Sequence, residues 1–394
     1  MNRVATPVPA TSPGDAAQRW RAELKSGRAA LRATFQARPD TARLLREHAR
    51  LVDSVIAEAW DDLSAPPRAA LVAVGGYGRG QLFPHSDVDV LILLPEAPDG
   101  AGTGFVERFL GVLWDIGLEI GHSVRTIAEC EAEMATDITV RTSLLEHRCI
   151  AGSRSLHRAF GHRVAAALDA PFFYEAKTLE QQQRHLKYHD AAYNLEPNVK
   201  ESPGGLRDLQ TVLWIARAAG LGRTWRELAQ NGLITRQEAR TVSRQEGFIG
   251  GLRARLHYLA GRREDRLVFD QQNALARELG FVDTPTKVAS EQLMPRYYRA
   301  AKLVRQVNVI LLQNLHARLF PVAAEPVAID EAFQSADELL DIRDESLFEQ
   351  QPSAMLDAFL TMERHAELRG MSARTLRALW RNRHRVDARF RRDP

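Results

Sequence analysis

The residues between 70 and 94 constrain the fold more than any other part of the sequence. Two short aliphatic runs, 70–74 and 88–94, are separated by two adjacent glycines and a polar stretch that contains a proline. Short β-branched and aliphatic runs between turn residues are typical of buried strands. Asp87 and Asp89 alternate with apolar residues at the start of the second run. The pattern predicts a strand, a glycine turn and a second strand that carries both carboxylates on one face.

The sequence around these runs indicates a fold that mixes strands and helices. The stretch "TGFVERFLGVLWDIG" has helical spacing, and "LEIGHSVRT" is a further candidate strand. From about Glu175 the strand signals fade and long amphipathic patterns with a helical period follow. We therefore predict an α+β fold in which a mixed sheet with helices precedes a mostly helical domain.

Shifts in composition divide the chain into four predicted segments. Residues 1–63 form a disordered leader, rich in Pro, Ala and Thr, followed by N-terminal helices, and residues 64–174 form the domain with the sheet. Residues 175–322 form the helical domain, and residues 323–394 form a helical linker. The last boundary lies where two prolines among small residues interrupt the helical period.

Composition argues against several classes of protein. The formal net charge is only +3, and the two cysteines, Cys130 and Cys149, cannot build a disulfide framework. The N-terminus has no continuous apolar stretch and no run of about 18 apolar residues occurs, so we expect neither an export signal nor a membrane span. The arginine-rich C-terminal stretch is better explained by an amphipathic helix than by nucleic-acid binding. We predict a cytoplasmic protein.

The glycine turn and the aspartates together predict a site for phosphate and metal. Gly75 and Gly76 allow backbone N–H groups to approach a ligand, and Arg79 adds a cation nearby. The glycines alone are more often plain connection chemistry. Two carboxylates at about 4 Å repel by about 4 kcal/mol at an effective dielectric constant near 20, a cost that a cation between them removes. Mg2+ suits these ligands because it prefers hard oxygen donors and shares its shell with phosphates.

A Gly-Gly turn, a short helix and Asp-x-Asp on the next strand resemble the signature of the DNA polymerase beta-like nucleotidyltransferase superfamily. The longer strings "GGYGRGQLFPHSDVDVLIL", "YNLEPNVKESPGGLRDLQTVLWIAR" and "GRREDRLVFDQQNALARELG" closely resemble the PII signalling protein uridylyltransferases. These are bifunctional uridylyl-transferring and uridylyl-removing enzymes of bacterial nitrogen regulation, a signal transduction system. The matches span residues 71–280.

The resemblance implies transfer of UMP from UTP to a tyrosine of the PII protein, with release of pyrophosphate. It assigns two Mg2+ ions to Asp87 and Asp89 and the triphosphate to the glycine turn. The superfamily normally adds a third carboxylate from a later strand. Glu119 is the acid of "LEIGHSVRT" and is our candidate, although its register is open and His122 is an alternative polar group.

A second glycine turn, in "NVKESPGGLRDLQ", is also assigned to the nucleotide by the resemblance. Gly204 and Gly205 precede a helical run, and Lys200 and Arg207 flank them. We predict that these four residues and Asp208 bind the nucleotide. Capping and turn stabilisation are the alternative roles of Asp208.

The family pattern continues with an HD-type phosphohydrolase domain and with ACT domains that sense glutamine. Neither is recognisable in the sequence, so we expect an isolated transferase portion. Two other functions stay open. One is a protein adenylyltransferase that uses ATP, and the other is a non-catalytic nucleotide-binding module, against which the presence of both Asp87 and Asp89 argues.

Overall fold

The structure is a computed structural model, and it describes residues 13–98, 100–188, 195–321, 325–387 and 390. Most of the predicted disordered leader falls on residues 1–12, outside the described residues. The chain divides into two compact units. The first comprises Met1–Asp169, Tyr193–Lys200 and Gln245–Tyr297, and the second comprises Ala170–Ala192, Glu201–Arg244 and Tyr298–Pro394. The four segment boundaries inferred from composition stay predictions.

A four-stranded mixed sheet forms the centre of the first unit. Its strands are β1 (Ala70–Ala73), β2 (Val88–Leu93), β3 (Ile120–Arg125) and β4 (Arg148–Gly152). Their order is β3-β2-β1-β4; β1 pairs antiparallel with β2 and β4, whereas β2 and β3 are parallel. The three predicted strands are therefore present, and the predicted combination of a mixed sheet with helices is confirmed.

Helices cover both faces of this sheet. The described helices of residues 13–166 are α1 (Pro13–Ala37), α2 (Thr41–Asp62), α3 (Gly75–Gly78), α4 (Gly100–Asp115), α5 (Ile127–Thr136), α6 (Ile138–Leu145) and α7 (Arg154–Ala166). Val90 and Ile92 pack in one core cluster with α1, α2 and α4. Leu91 and Leu93 pack on the opposite face with α5, α6 and α7. Asp89 shares the face of Leu91 because alternate residues of a strand point the same way.

The long amphipathic patterns of the second half form helices, as predicted. These are α8 (Ala170–Lys187), α9 (Leu206–Ala218), α10 (Trp225–Gln230), α11 (Arg236–Ala260), α12 (Phe269–Glu278), α13 (Ala289–Leu319), α14 (Leu347–Gln350), α15 (Ala354–Arg364) and α16 (Ala373–Asn382). Of these, α12 belongs to the first unit, and α11 and α13 contribute residues to both units. None of the described helices is long and apolar enough to cross a bilayer.

The segment predicted as a helical linker contains a second sheet as well as helices. Its strands are β5 (Val327–Ala328), β6 (Phe333–Ala336), β7 (Leu339–Ile342) and β8 (Gly370–Met371), in that order across the sheet. Strands of two to four residues are too short to show alternation. The β6–β7 hairpin turns at Asp337 and Glu338, both with positive φ, without the glycine or asparagine that usually marks such a turn.

Candidate functional site

The glycine turn after β1 is a single helical turn pressed against its neighbours. Gly75 has φ +57°, and the N–H of Gly78 donates to the carbonyl of Val74 at 2.9 Å. A Cβ on Gly78 would overlap the carbonyl oxygen of Glu146, so only glycine fits there. The amides of Gly75 and Gly76 precede the first intrahelical hydrogen bond, and helix geometry gives them no partner within α3. These two N–H groups are thus positioned to bind an oxygen ligand.

Partly buried polar contacts hold this turn in place. The hydroxyl of Tyr77 donates to Oδ1 of Asp53 at 2.6 Å, and Arg148 donates to Oδ2 of Asp53 at 2.7 Å. Arg148 also donates to the carbonyl of Tyr77 at 3.2 Å. Burial and the Asp53 charge raise the pKa of Tyr77, so the phenol stays protonated and keeps donating. The predicted cation Arg79 lies beside the turn in an ion pair with Glu146.

Asp89 lies between the turn and the neighbouring strand. A Cβ on Gly75 would lie 3.6 Å from Oδ2 of Asp89, and a Cβ on Gly121 would overlap Oδ1. Gly121 stands opposite Asp89 in the parallel register of β2 and β3. Burial, followed by the charge of Asp87, raises the pKa of Asp89. The carboxylate is therefore close to the glycine turn and destabilised by its like-charged neighbour, which a bound cation would relieve.

Asp87 pairs with a residue that the sequence did not assign to the site. Nη1 of Arg263 lies 2.5 Å from Oδ2 of Asp87, and both side chains are about half exposed, at 53% and 45% respectively. The charges of Lys200 and Arg263 lower the pKa of Asp89 and partly offset its upward shift. Two acids and two cations thus share this part of the first unit. Arg263 belongs to the string "GRREDR", residues 261–266, in which five of the six residues are charged.

A buried network fixes the loops around Asp87. Asp265 accepts from Nε of Arg253 at 2.6 Å, and Nε2 of His257 lies 3.2 Å from the same carboxylate oxygen. His257 also contacts the carbonyl of Pro84, and the N–H of Val199 donates to the carbonyl of Asp265 at 2.8 Å. Burial alone would raise the pKa of Asp265, but His257 and Arg253 hold it below its ordinary value. The segments that carry Asp87, Lys200 and Arg263 are therefore joined.

Glu119 directly precedes β3 and is not the residue opposite Asp89. Its carbonyl accepts from the N–H of Val88 at 2.8 Å, and its side chain lines a cavity of about 270 Å³ with Arg28, His85 and Tyr258. The position opposite Asp89 is Gly121 instead. The catalytic role of Glu119 stays a prediction from the resemblance. The alternative group, His122, is exposed, and its ring lies 6.0 Å from the ring of Trp114.

The second glycine turn belongs to the second unit, whereas Lys200 belongs to the first. Gly204 has φ +81°, and its N–H donates to Oδ2 of Asp208 at 2.7 Å. Gly205 is the N-cap of α9, and Arg207 pairs with Glu201 at 3.2 Å. Binding of nucleotide by these residues stays a prediction.

Asp208 is fully buried and has several internal partners. Its Oδ1 lies 2.8 Å from both Nη2 of Arg184 and Nε2 of His185. Burial alone would raise the pKa of Asp208, but these two groups and the Gly204 amide hold it below its ordinary value. The contacts favour the capping and turn-stabilising role that the sequence left open.

The first unit contains two carboxylates, those of Asp87 and Asp89, that could bind a metal ion. Among the described residues, no group of three or more His, Cys, Asp or Glu side chains that could hold a metal ion occurs. Asp87 and Asp89 nevertheless fit a hard divalent cation, because such an ion completes its shell with water and substrate phosphate. Burial and, after it, the charge of Asp87 raise the pKa of Asp89 and so disfavour its ionised form, which a bound cation would stabilise.

Family models match three parts of the chain. Residues 54–143 match a nucleotidyltransferase domain, residues 172–312 match GlnD PII-uridylyltransferase, and residues 333–394 match the third domain of uridylyltransferase GlnD. The match to the third domain includes strands β6, β7 and β8 of the second sheet. The match to the nucleotidyltransferase domain contains α3, Asp87, Asp89 and Glu119. Nucleotidyltransferases of this kind generally use a divalent metal.

Curated relatives named bifunctional uridylyltransferase/uridylyl-removing enzyme match nearly the whole chain. A protein of Bordetella avium is 55% identical over 374 residues, which are 94% of this chain and 43% of the relative. A protein of Nitrosospira multiformis is 52% identical over 95% of this chain and 43% of the relative. One of Burkholderia orbicola is 51% identical over 97% and 45%. The chain thus spans less than half the length of these relatives, and it belongs to the GlnD PII-uridylyltransferase family.

Proposed function

We propose that this chain transfers UMP from UTP to a tyrosine hydroxyl of a PII signalling protein and releases pyrophosphate. The observation that carries the proposal is the position of Asp89. Its carboxylate lies beside the glycine turn, between Gly75 and Gly121, and Asp87 lies two residues earlier, directly before β2 and not within it as the sequence predicted. A phosphate-binding turn next to two carboxylates is the arrangement that metal-assisted nucleotidyl transfer requires.

The residues of the chain would act by positioning and by charge. The N–H groups of Gly75 and Gly76 would donate to phosphate oxygens of UTP. Asp87 and Asp89 would hold Mg2+, which when bound neutralises phosphate charge and lowers the pKa of the attacking hydroxyl. The tyrosine oxygen would bond to the α-phosphorus, the bond from that phosphorus to the bridging oxygen would break, and the tyrosine proton would pass to solvent.

The remaining assignments follow from this reaction. Lys200 supplies a cation in the first unit near Asp89, and we propose that it binds a phosphate of the nucleotide. A PII protein is the proposed partner, because residues 172–312 match the GlnD PII-uridylyltransferase family. We also propose a cytoplasmic location, since Cys130 and Cys149 are both free thiols.

The experiment is a transfer assay read by intact-protein mass. Purified chain, Mg2+ and PII protein are incubated with UTP or with ATP, and both the mass of PII and pyrophosphate are measured. We expect addition of UMP alone. Addition of AMP would support an adenylyltransferase instead, and nucleotide binding without transfer would support a non-catalytic module.

Variants of the chain test the residues in the same assay. D87N and D89N should each lower transfer by about hundredfold or more, because each removes a carboxylate from the metal site. E96Q, at an exposed glutamate just beyond β2, is the matched control and should transfer normally. E119Q separates the two interpretations of Glu119: a loss similar to that of D89N would support a catalytic role, and normal transfer would contradict it.

A further inference from the structure

The ion pair between Arg263 and Asp87 has the properties of a contact that can be exchanged. It rests on a 2.5 Å approach of Nη1 to Oδ2, and both side chains are about half exposed. Exposed pairs contribute little to stability because water screens the charges and two flexible side chains must be ordered. A divalent cation, which interacts more strongly with a carboxylate than a guanidinium does, can displace Arg263 from Asp87.

The backbone that carries Arg263 is firmly held while its side chain is exposed. Two residues further along, Asp265 is anchored by Arg253 and His257. The N–H of Leu267 donates to the carbonyl of Pro197 at 2.9 Å. A displaced Arg263 guanidinium therefore stays in the neighbourhood of Asp87 because its own Cα has little freedom.

The local charges indicate which group the displaced guanidinium of Arg263 would bind. Without ligands, the carboxylates of Asp87 and Asp89 balance the cations of Lys200 and Arg263. Binding of a divalent cation leaves a local excess of positive charge, which disfavours the metal alone and favours the metal together with a polyanion. A triphosphate supplies this charge, and a guanidinium binds its oxygens well.

We propose that Arg263 exchanges partners: it pairs with Asp87 when the metal is absent and binds a nucleotide phosphate when the metal takes the carboxylate. The second half of this exchange rests on the proposed function. Arg263 thus couples metal binding to nucleotide binding and disfavours occupation of the site by a bare divalent cation. The coupling predicts that removal of the Arg263 guanidinium strengthens binding of the metal alone and weakens binding of the nucleotide.

The test measures metal and nucleotide binding separately in R263Q. Free Mn2+ is followed by electron paramagnetic resonance without nucleotide, and UTP binding is followed by calorimetry with Mg2+. We expect R263Q to bind Mn2+ about two- to fivefold more tightly, because its competitor is gone. We expect it to bind UTP about tenfold more weakly, because a charged phosphate contact is lost.

R262Q is the matched control, because Arg262 pairs with Glu264 at 2.7 Å and is 69% exposed; both affinities should stay at the wild-type values. R263K keeps the charge and should stay closer to wild type than R263Q in both measurements. Unchanged or weaker Mn2+ binding in R263Q would overturn the exchange, as would unchanged UTP affinity. The Mn2+ measurement needs neither UTP nor PII, so failure of uridylyl transfer would leave it interpretable.

Discussion

Asp89 owes its place to two glycines. Gly75 and Gly121 lie on either side of its carboxylate, and a side chain at Gly121 would occupy the space of Oδ1. The sequence identifies Asp89 through strand alternation, and it identifies Gly75 through the double-glycine turn. Gly121 could not be assigned in this way, because its significance depends on the register of two parallel strands. Arg263 could not be assigned to the site from the sequence for a similar reason, because it contacts Asp87 although the two residues are 176 positions apart in the chain.

A methyl group at position 121 should therefore disturb the site and not the fold. We expect G121A to lower uridylyl transfer by about hundredfold, because the Asp89 carboxylate must move away from its position. The flexible side chain absorbs the clash, so the unfolding midpoint should stay close to wild type. The control is G111A on α4, where an added Cβ meets nothing within 4 Å. Normal transfer by G121A would show that the position of Asp89 is not set by Gly121.

At the scale of secondary structure, sequence reasoning succeeds where a segment carries its own pattern. The aliphatic runs of β1 and β2 predict a strand-turn-strand unit, and the period of the later segments predicts helices. The sequence did not predict the second sheet, because β5 and β8 have two residues each and their conformation depends on pairing with other segments. The sequence did not predict the partners of Asp208 either, because Arg184 and His185 lie on α8 whereas Asp208 lies on α9, and the contact depends on how the helices pack.

The link between α8 and α9 should make the second unit sensitive to D208N. This variant removes the closer of the two carboxylates that pair with Arg184, which is only 10% exposed, and we expect a loss of about 3 kcal/mol in the free energy of unfolding at pH 7. Because the pKa of Asp208 is lowered by folding, its contribution is complete only above about pH 5, a unit above the pKa of an unfolded aspartate. The difference from wild type should shrink only as the pH falls further.

Urea unfolding at pH 7, 5 and 3 measures this effect, with E363Q at an exposed glutamate of α15 as the control. Equal free energies of unfolding for wild type and D208N at pH 7 would contradict the structural role of Asp208. UTP affinity of the folded variant tests the predicted nucleotide contact. Weaker UTP binding would support that contact, and unchanged binding would favour capping alone.

At the scale of the whole molecule, attraction of a nucleotide must be local. The chain has 53 Lys and Arg residues against 50 Asp and Glu residues, so its net charge gives little long-range steering of a polyanion. The cations that matter are those near the glycine turn, and the carboxylates beside them cancel their effect until a divalent ion is bound. Nucleotide and metal should therefore stabilise the first unit together more than either does alone.

Thermal unfolding with ligands tests this expectation. UTP with Mg2+ at a hundred times its dissociation constant should stabilise the unit that binds it by about 2.7 kcal/mol and raise its midpoint by about 5 to 10 °C. UTP without a divalent ion should give a smaller shift, since Asp87, Asp89 and the nucleotide then repel one another. D89N should lose most of the shift with UTP and Mg2+. ATP with Mg2+ should stabilise less than UTP at equal concentration if the site selects uracil; equal shifts would instead favour a site that does not distinguish the base, because mass action on the folded state depends only on affinity.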